Sequence, residues 1–398
     1  MINPWFGFSC VALTFLISYC VFVLSPLPVG DYYFISVFFL IGIYSLNAIL
    51  RDKTTYQPRK WLQQPLKIFG KYVFWSVISY LPILLYRNHS FYAQNFLRVV
   101  PFFEFYFKCY VIAGLPYFVL SEKYRYSFGN VFSDPYLRVL SLLRQVCWGR
   151  FRNTLRRSIL HRSYRSLLIS IFLRLHFLPV MLGQLIYAQE TSVKSLIENS
   201  WDYAVMISFL TNLVWAIDSN NASIGYFWES NFTKTRFKMM DFHPLHWIIT
   251  LSCYVPFTYW ASTFVPSLMD YNSAVFHLID SRWFEVATDL IGLIFLIGYL
   301  IAGTSLYFST SNLTYKAIQT RGLYGIVRHP ATLCKIGFFG VVCFKFSEAY
   351  TLINVFAYLL WTGIYLSRTY CEERFLMQFE EYRVYRERVK YRLIPGVY

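Results

Sequence analysis

Apolar residues run for bilayer length again and again along this chain, and the polar positions gather in the segments between them. A helix needs about 20 predominantly apolar residues to cross the hydrocarbon core. Candidate spans fall at about 5–24, 32–50, 69–86, 97–120, 166–187, 201–218, 246–266, 284–306, 336–348 and 350–366. The last two are short and predict a tight helical hairpin. The pattern as a whole predicts an all-α polytopic membrane bundle of about ten transmembrane helices.

The connecting segments set the orientation. Lys and Arg cluster at Arg51, Lys53, Arg59, Lys60 and Lys67, from Lys123 to Arg165, at Lys234, Arg236 and Lys238, at Lys316, Arg321 and Arg328, and from Arg368 to Arg392. The alternate connections near 25–31, 188–200 and 267–282 carry almost none. By the positive-inside rule this alternation puts both termini in the cytoplasm. The membrane would be the inner membrane of a bacterium or the endoplasmic reticulum of a eukaryote. From Trp5 to Leu24 there is neither a charged leader nor a small-residue cleavage site, which predicts a retained first helix.

Composition agrees. Of 398 residues 56% are hydrophobic and 15% charged, with a mean hydropathy of +0.40, well above what a soluble chain of this length carries. Aromatic residues make up 21%, a surplus that suits the two bilayer interfaces. The formal charge of +16 lies between the apolar runs, so anionic inner-leaflet lipids are its expected partner and nucleic acid is not. Eight cysteines without paired spacing predict neither disulfides nor a cysteine-held metal.

The longest polar interruption, Ser121 to Arg165, contains RQVCWGRFRNTLRRSILHRSYR, where Arg alternates with Trp, Phe, Leu and Ile at helical spacing. It predicts a basic amphipathic helix lying on an anionic leaflet. It also divides the chain into an N-terminal transmembrane bundle (1–120), the basic cytoplasmic segment (121–165) and a transmembrane domain (166–398) whose core motifs lie at 311–398.

Two segments of that last domain place polar groups beside the short hairpin: SNLTYKAIQTRGLYGIVRHPATLCKI, Ser311 to Ile336, and YCEERFLMQFEEYRVYRERVKYRLIPGVY, Tyr370 to Tyr398. A hairpin between them returns the chain to the same face and sets Arg328 and His329 near Glu372 and Glu373. A carboxylate pair, a histidine and arginines there can hold a polar cofactor while a lipid enters sideways. The simpler alternative is also open: Arg-His-Pro can cap and anchor a helix, and the charged tail can be a solvated helix with charge pairs.

Arg-His-Pro after a Gly-x-Tyr turn, then a hairpin, then Glu-Glu and Tyr-x-x-Tyr resembles the isoprenylcysteine carboxyl methyltransferase and phospholipid methyltransferase superfamily. The Ser-Asn-Leu-Thr and His-Pro-Ala strings, and Tyr254, Pro256 and Phe257 upstream, are similar to bacterial membrane proteins classed there. The resemblance covers about residues 220–398 and implies S-adenosylmethionine as cofactor and a lipid or lipid-linked acceptor. It implies that Tyr324, His329, Pro330, Glu372, Glu373, Tyr382 and Tyr385 bind the cofactor, with Arg328 and Glu373 catalytic. The chain departs from the family pattern at Thr332, where Tyr is usual, at Cys334, where a small residue is usual, and in the turn Gly322-Leu323-Tyr324-Gly325.

The closing string Tyr391 to Gly396 is similar to integral membrane sterol reductases, which use NADPH, and a catalytically silent scaffold is a third alternative. Among other polar residues, Arg174 and His176 fall inside a span and are expected to snorkel or to act. Asp202, Asp218, Glu285 and Asp289 fall near span ends and are expected at the interface, with Asp289 able to face a cavity. His243 and His246 have a metal-compatible spacing, but seven scattered histidines are too few for a membrane di-iron site.

Overall fold

Helices form where the apolar runs predict them. In a computed structural model the chain is described over residues 29–51, 65–123, 162–198, 202–229, 237–254, 278–306 and 309–397, with isolated positions at 9, 12–14, 16–17, 20 and 257. The helices are α1 (Val29–Arg51), α2 (Pro65–Asn88), α3 (Ser90–Phe96), α4 (Val100–Lys123), α5 (Arg162–Phe172), α6 (Leu178–Glu198), α7 (Tyr203–Phe227), α8 (Pro244–Leu251), α9 (Arg282–Leu306), α10 (Pro330–Phe344), α11 (Leu352–Leu376) and α12 (Glu380–Arg388). The only strands among the described residues are the two-residue pieces Met239–Met240 and Thr314–Tyr315.

Among the described residues four segments are long and apolar enough to cross a membrane: Pro65–Asn88, Leu97–Leu120, Leu168–Ser192 and Arg282–Leu306. They fall on four of the expected spans, and an integral membrane protein is the reading they support. The span expected at 32–50 falls within α1, which includes the apolar stretch Phe34–Asn47, and α10 is a short apolar helix. α7 runs beyond residue 218 into a polar half, where Ser219, Asn220, Asn221 and Ser223 are all buried. α8 covers only the start of the run expected at 246–266, most of which lies outside the described residues, as do most of the first span and most of the basic segment 121–165.

Two compact units divide the chain, one from residues 13–186 and 223–240, the other from 1–12, 187–222 and 241–398. In the first, α2 and α4 pack through aromatic rings. Tyr72 stacks on Tyr110 at 5.7 Å, and its hydroxyl donates to the Val111 carbonyl at 2.9 Å. Tyr86 is fully buried and donates to the Leu175 carbonyl at 2.6 Å. That carbonyl belongs to a π-helical turn, Leu173–Phe177, between α5 and α6. Arg174 Nη2 donates to Glu229 Oε2 at 2.6 Å, and His176 is buried flat against Phe172. A cation in an apolar span is tolerated when a carboxylate meets it there.

The second unit holds the motif segments. Its closest helix pair is α9 with α10, more extensive than the expected hairpin pair of α10 with α11. Small residues make the approach possible. A Cβ on Gly298 would lie 2.8 Å from Cys334 Sγ, and one on Gly337 would fall on the Phe295 ring. Toward α11, Tyr358 Oη donates to the Ile336 carbonyl at 2.9 Å. The outward faces are apolar: Leu290, Ile291, Ile294 and Ile297 on α9 and Leu352, Ile353, Phe356 and Leu359 on α11 are exposed. Such stripes on two helices that both pack on α10 are what acyl chains would cover.

Candidate functional site

Arg328, His329 and Pro330 stand where an irregular segment becomes α10. The preceding turn, Gly322–Gly325, opens on Gly322 at φ 64°, a left-handed conformation that a glycine adopts without a Cβ penalty. Tyr324 follows in that turn and is buried. Pro330 takes the first helical position, where its missing N–H costs nothing. His329 is the N-cap residue, but its side chain makes no cap. It reaches instead to α11.

α11 carries Glu372 and Glu373 because it continues ten residues past the expected end at 366. No Gly or Pro interrupts SRTYCEERFL, so the helix has no reason to stop there. Glu373 is buried, and both its oxygens are occupied. Oε1 accepts from Arg328 Nε at 2.7 Å and from His329 Nε2 at 3.1 Å, and Oε2 accepts from Arg392 Nη2 at 2.9 Å. Arg328 Nη1 also donates to the carbonyls of Val389, at 2.8 Å, and of Lys390. The backbone closes the same junction: Arg328 N donates to the Tyr391 carbonyl at 3.0 Å and His329 N to the Arg392 carbonyl at 2.9 Å. Burial alone would raise the Glu373 carboxyl, but the hydrogen bonds from His329, Arg328 and Arg392 outweigh it and hold the group well below the usual carboxylate range.

The tyrosines of α12 close over this junction. Tyr382, Tyr385 and Val389 form a buried cluster with Ile318, Leu376, Met377 and Phe379 packed against it. Tyr385 Oη donates to the Tyr324 carbonyl at 2.7 Å. Tyr382 Oη is buried and has no hydrogen-bond partner among the described residues. Burial first, and the neighbouring carboxylates after it, keep the Tyr324 and Tyr382 phenols raised above the ordinary range, so both remain neutral.

All eight residues singled out from the sequence therefore belong to one region of one unit, and they are not equivalent. Glu373 is saturated by three side chains of the protein. Glu372, one residue earlier, is half-buried and has no hydrogen bond or ion pair among the described residues. Its charge is felt at Tyr324, Tyr382 and Arg368.

Several neighbours were not singled out from the sequence. Arg392 belongs to the closing string, whose only signal was its similarity to reductases. Asn312, in the Ser-Asn-Leu-Thr string, accepts through Oδ1 from Tyr254 Oη at 3.2 Å and from Arg368 Nη2. Leu313 beside it has φ 47°, a strained value for a branched side chain, and its carbonyl accepts from Asp241 N at 2.9 Å. Tyr315 stacks on Phe379 at 4.0 Å and hydrogen-bonds Glu381.

The remaining polar residues have internal roles. His246 Nδ1 meets Asp241 Oδ2, and Asp241 Oδ1 accepts from His243 N at 2.9 Å. Among the described residues no group of three or more His, Cys, Asp or Glu could hold a metal ion. Asp289 accepts from Lys345 Nζ at 2.8 Å and from Tyr203 Oη at 3.3 Å. Asp218 accepts from Tyr299 Oη at 2.8 Å. Asp202 Oδ1 caps α7 by accepting from Val205 N at 2.9 Å, and Glu285 lies 3.6 Å from Arg282.

Fold and site together define an α-helical membrane protein with a buried ion cluster joining the start of one helix to the end of another. Comparison with protein-family models, with curated proteins and with solved structures finds no match to this chain.

Proposed function

We propose that this chain is an S-adenosylmethionine-dependent methyltransferase of the membrane, acting on a lipid or lipid-linked acceptor at the cytoplasmic face. The full topology of about ten spans with both termini cytoplasmic is part of the same reading. The observation that carries it is the meeting of two motif segments, 45 residues apart, through Arg328 and Glu373.

The residues at this junction fit such a cofactor. It presents an ammonium and ribose hydroxyls, which need acceptors, and Glu372 is a carboxylate that no donor meets among the described residues. It also presents acceptors, for which the orphaned Tyr382 hydroxyl is a buried donor. When bound, the cofactor supplies a methyl group on a sulfonium. His329 and Pro330 would line its site, and Tyr324, Tyr382 and Tyr385 would exclude water from it. Glu373 acts here as a positioning residue: with three donors on it, it fixes Arg328 and His329. A general base is needed only for an amine or hydroxyl acceptor, since a carboxylate already has its lone pair.

One observation favours a second reading. The backbone of Arg328 and His329 pairs with Tyr391 and Arg392, in the string similar to the sterol reductases, so NADPH-dependent reduction of an isoprenoid double bond is the alternative. A silent scaffold is the third. Of the two departures behind it, Cys334 has a packing explanation, because its sulfur fills the space left by Gly298.

Calorimetric titration of the detergent-purified protein with S-adenosylmethionine, its demethylated product and NADPH separates the three. The methyltransferase reading expects binding of the first two, lost in His329→Ala and Glu372→Gln. Binding of NADPH alone supports the reductase, and silence with all three supports the scaffold.

A further inference from the structure

Deeper along α10 a second polar group of residues is not used by the cofactor reading. Lys335 lies six residues after His329, about 9 Å further along the helix axis. Its ammonium sits in a cage of three rings, 5.6 Å from the centroid of Trp215, 6.0 Å from Tyr299 and 5.2 Å from Tyr365. Among the described residues Lys335 has no hydrogen-bond acceptor and no ion pair. The Asp218 carboxylate attracts it, with Asp218 Oδ2 engaged by Tyr299.

A second cation is close enough to repel it. Arg368, one turn beyond Tyr365 on α11, sits 5.5 Å over the Tyr254 ring and donates to Asn312 Oδ1. That oxygen also accepts from Tyr254, so both directions at Asn312 Oδ1 are taken. Asn312 Nδ2 is buried with no partner among the described residues. Lys335 and Arg368 are donors only, and Asn312 has only its donor left. Asp218 acts on Lys335 and Glu372 on Arg368 through their charge, but among the described residues neither carboxylate hydrogen-bonds these cations. Two like charges and an orphaned N–H are costly in an apolar interior unless a hydrogen-bonding oxygen meets them.

We propose that Lys335, Arg368 and Asn312 form a site for the anionic headgroup of a lipid, a carboxylate or phosphate, whose chain lies against the exposed apolar faces of α9 and α11. This rests on the methyltransferase reading and narrows its acceptor. The aromatic cage, which would otherwise suit an amine headgroup, is filled by the protein's own ammonium. An amine acceptor meets a filled cage and two repelling charges, whereas an acidic one meets three donors.

The test is binding of oleate, oleyl phosphate and oleylamine to the full chain in an uncharged detergent by native mass spectrometry, with inorganic phosphate as competitor. The expected result is a preference for either acidic lipid over the amine, reduced at least ~10-fold by Lys335→Met and restored by Lys335→Arg, as loss of a charge-assisted contact predicts. Lys335→Met fills the same volume and removes a costly charge, so its melting temperature should hold or rise, which excludes misfolding as the cause. Equal binding of oleylamine, or acidic lipid binding unchanged in Lys335→Met, overturns the proposal. Displacement by inorganic phosphate at matching concentration overturns its lipid part. A parallel titration with S-adenosylmethionine separates the two readings: acidic-lipid binding without cofactor binding sinks methyl transfer and leaves the site, and the reverse sinks the site.

Discussion

Arg328 donates from Nε to Glu373 Oε1 at 2.7 Å, with both side chains almost wholly removed from solvent. Bonding two charges this deeply is a poor source of net stability but a strong constraint on geometry, since neither group tolerates loss of the other. Glu373→Ala would leave Arg328, His329 and Arg392 facing one another without their shared acceptor. Breaking a buried pair of this kind costs about 3–5 kcal/mol. A large drop in melting temperature in detergent is expected, and a shift within error would mean that the cluster is hydrated or unimportant to the fold.

The same cluster sets a pH dependence. The Glu373 carboxyl is held well below its ordinary value of 4.5 by three donors that overcome the cost of burial. A depressed folded-state value means that the unfolded chain takes up the proton first. The stability it contributes is therefore fully present above pH 4.5 and is lost as pH falls below that toward the folded value. Comparing melting temperatures of the parent protein and Glu373→Gln across this range should show a gap that closes on acidification. A gap that widens instead would contradict the assignment.

Much of the fold was legible because long apolar windows have few alternatives: 69–86, 97–120, 166–187 and 284–306 each became a helix of spanning length. Two errors have a common physical origin. α7 outran residue 218 and α11 outran 366 because hydropathy marks where a helix leaves the apolar phase, not where its backbone hydrogen bonds end. The site was legible as far as motifs carried it, to Arg328, His329 and the two glutamates. Arg392, Lys335, Asn312 and Arg368 were not, because lone polar residues acquire meaning only once helix packing decides their neighbours. Cys334 is the clearest instance: a departure at the level of the motif, it became a packing partner once Gly298 lay opposite.

That packing makes its own prediction. Gly298→Ala places a methyl 2.8 Å from Cys334 Sγ, inside contact distance, and should cost about 1–3 kcal/mol. Cys334→Gly should remove most of the cost, so the double variant is more stable than the sum of the singles. Additive effects in that cycle would show that the two helices do not approach as described.

In the other unit, Arg174 depends on Glu229 in the same way. Glu229→Ala would leave the guanidinium inside a span with the Ser170 hydroxyl and the Phe237 ring as its side-chain partners among the described residues, and would also release Phe237 N, which donates to Glu229 Oε1 at 3.1 Å. Loss of a hydrogen bond to a charged group costs about 1.5–3 kcal/mol. The destabilisation should be relieved by adding Arg174→Leu to Glu229→Ala, since an apolar residue there needs no partner. A double variant no better than the single would mean that Arg174 already reaches solvent.

Glu372 and Glu373 are adjacent in sequence and opposite in circumstance, so the sharpest functional prediction compares them. Glu373 is saturated by protein donors, and Glu373→Gln should lower the melting temperature and disturb cofactor binding only through the displaced Arg328 and His329. Glu372 has no such partners and has little of the fold to lose. Glu372→Gln should leave the melting temperature within about 1–2 °C, as an effect below ~0.5 kcal/mol would, while reducing binding of S-adenosylmethionine severely. Calorimetry and thermal melting on the same two preparations decide the matter. If Glu372→Gln binds the cofactor as the parent does, its free carboxylate is incidental and the pocket must be held by other groups.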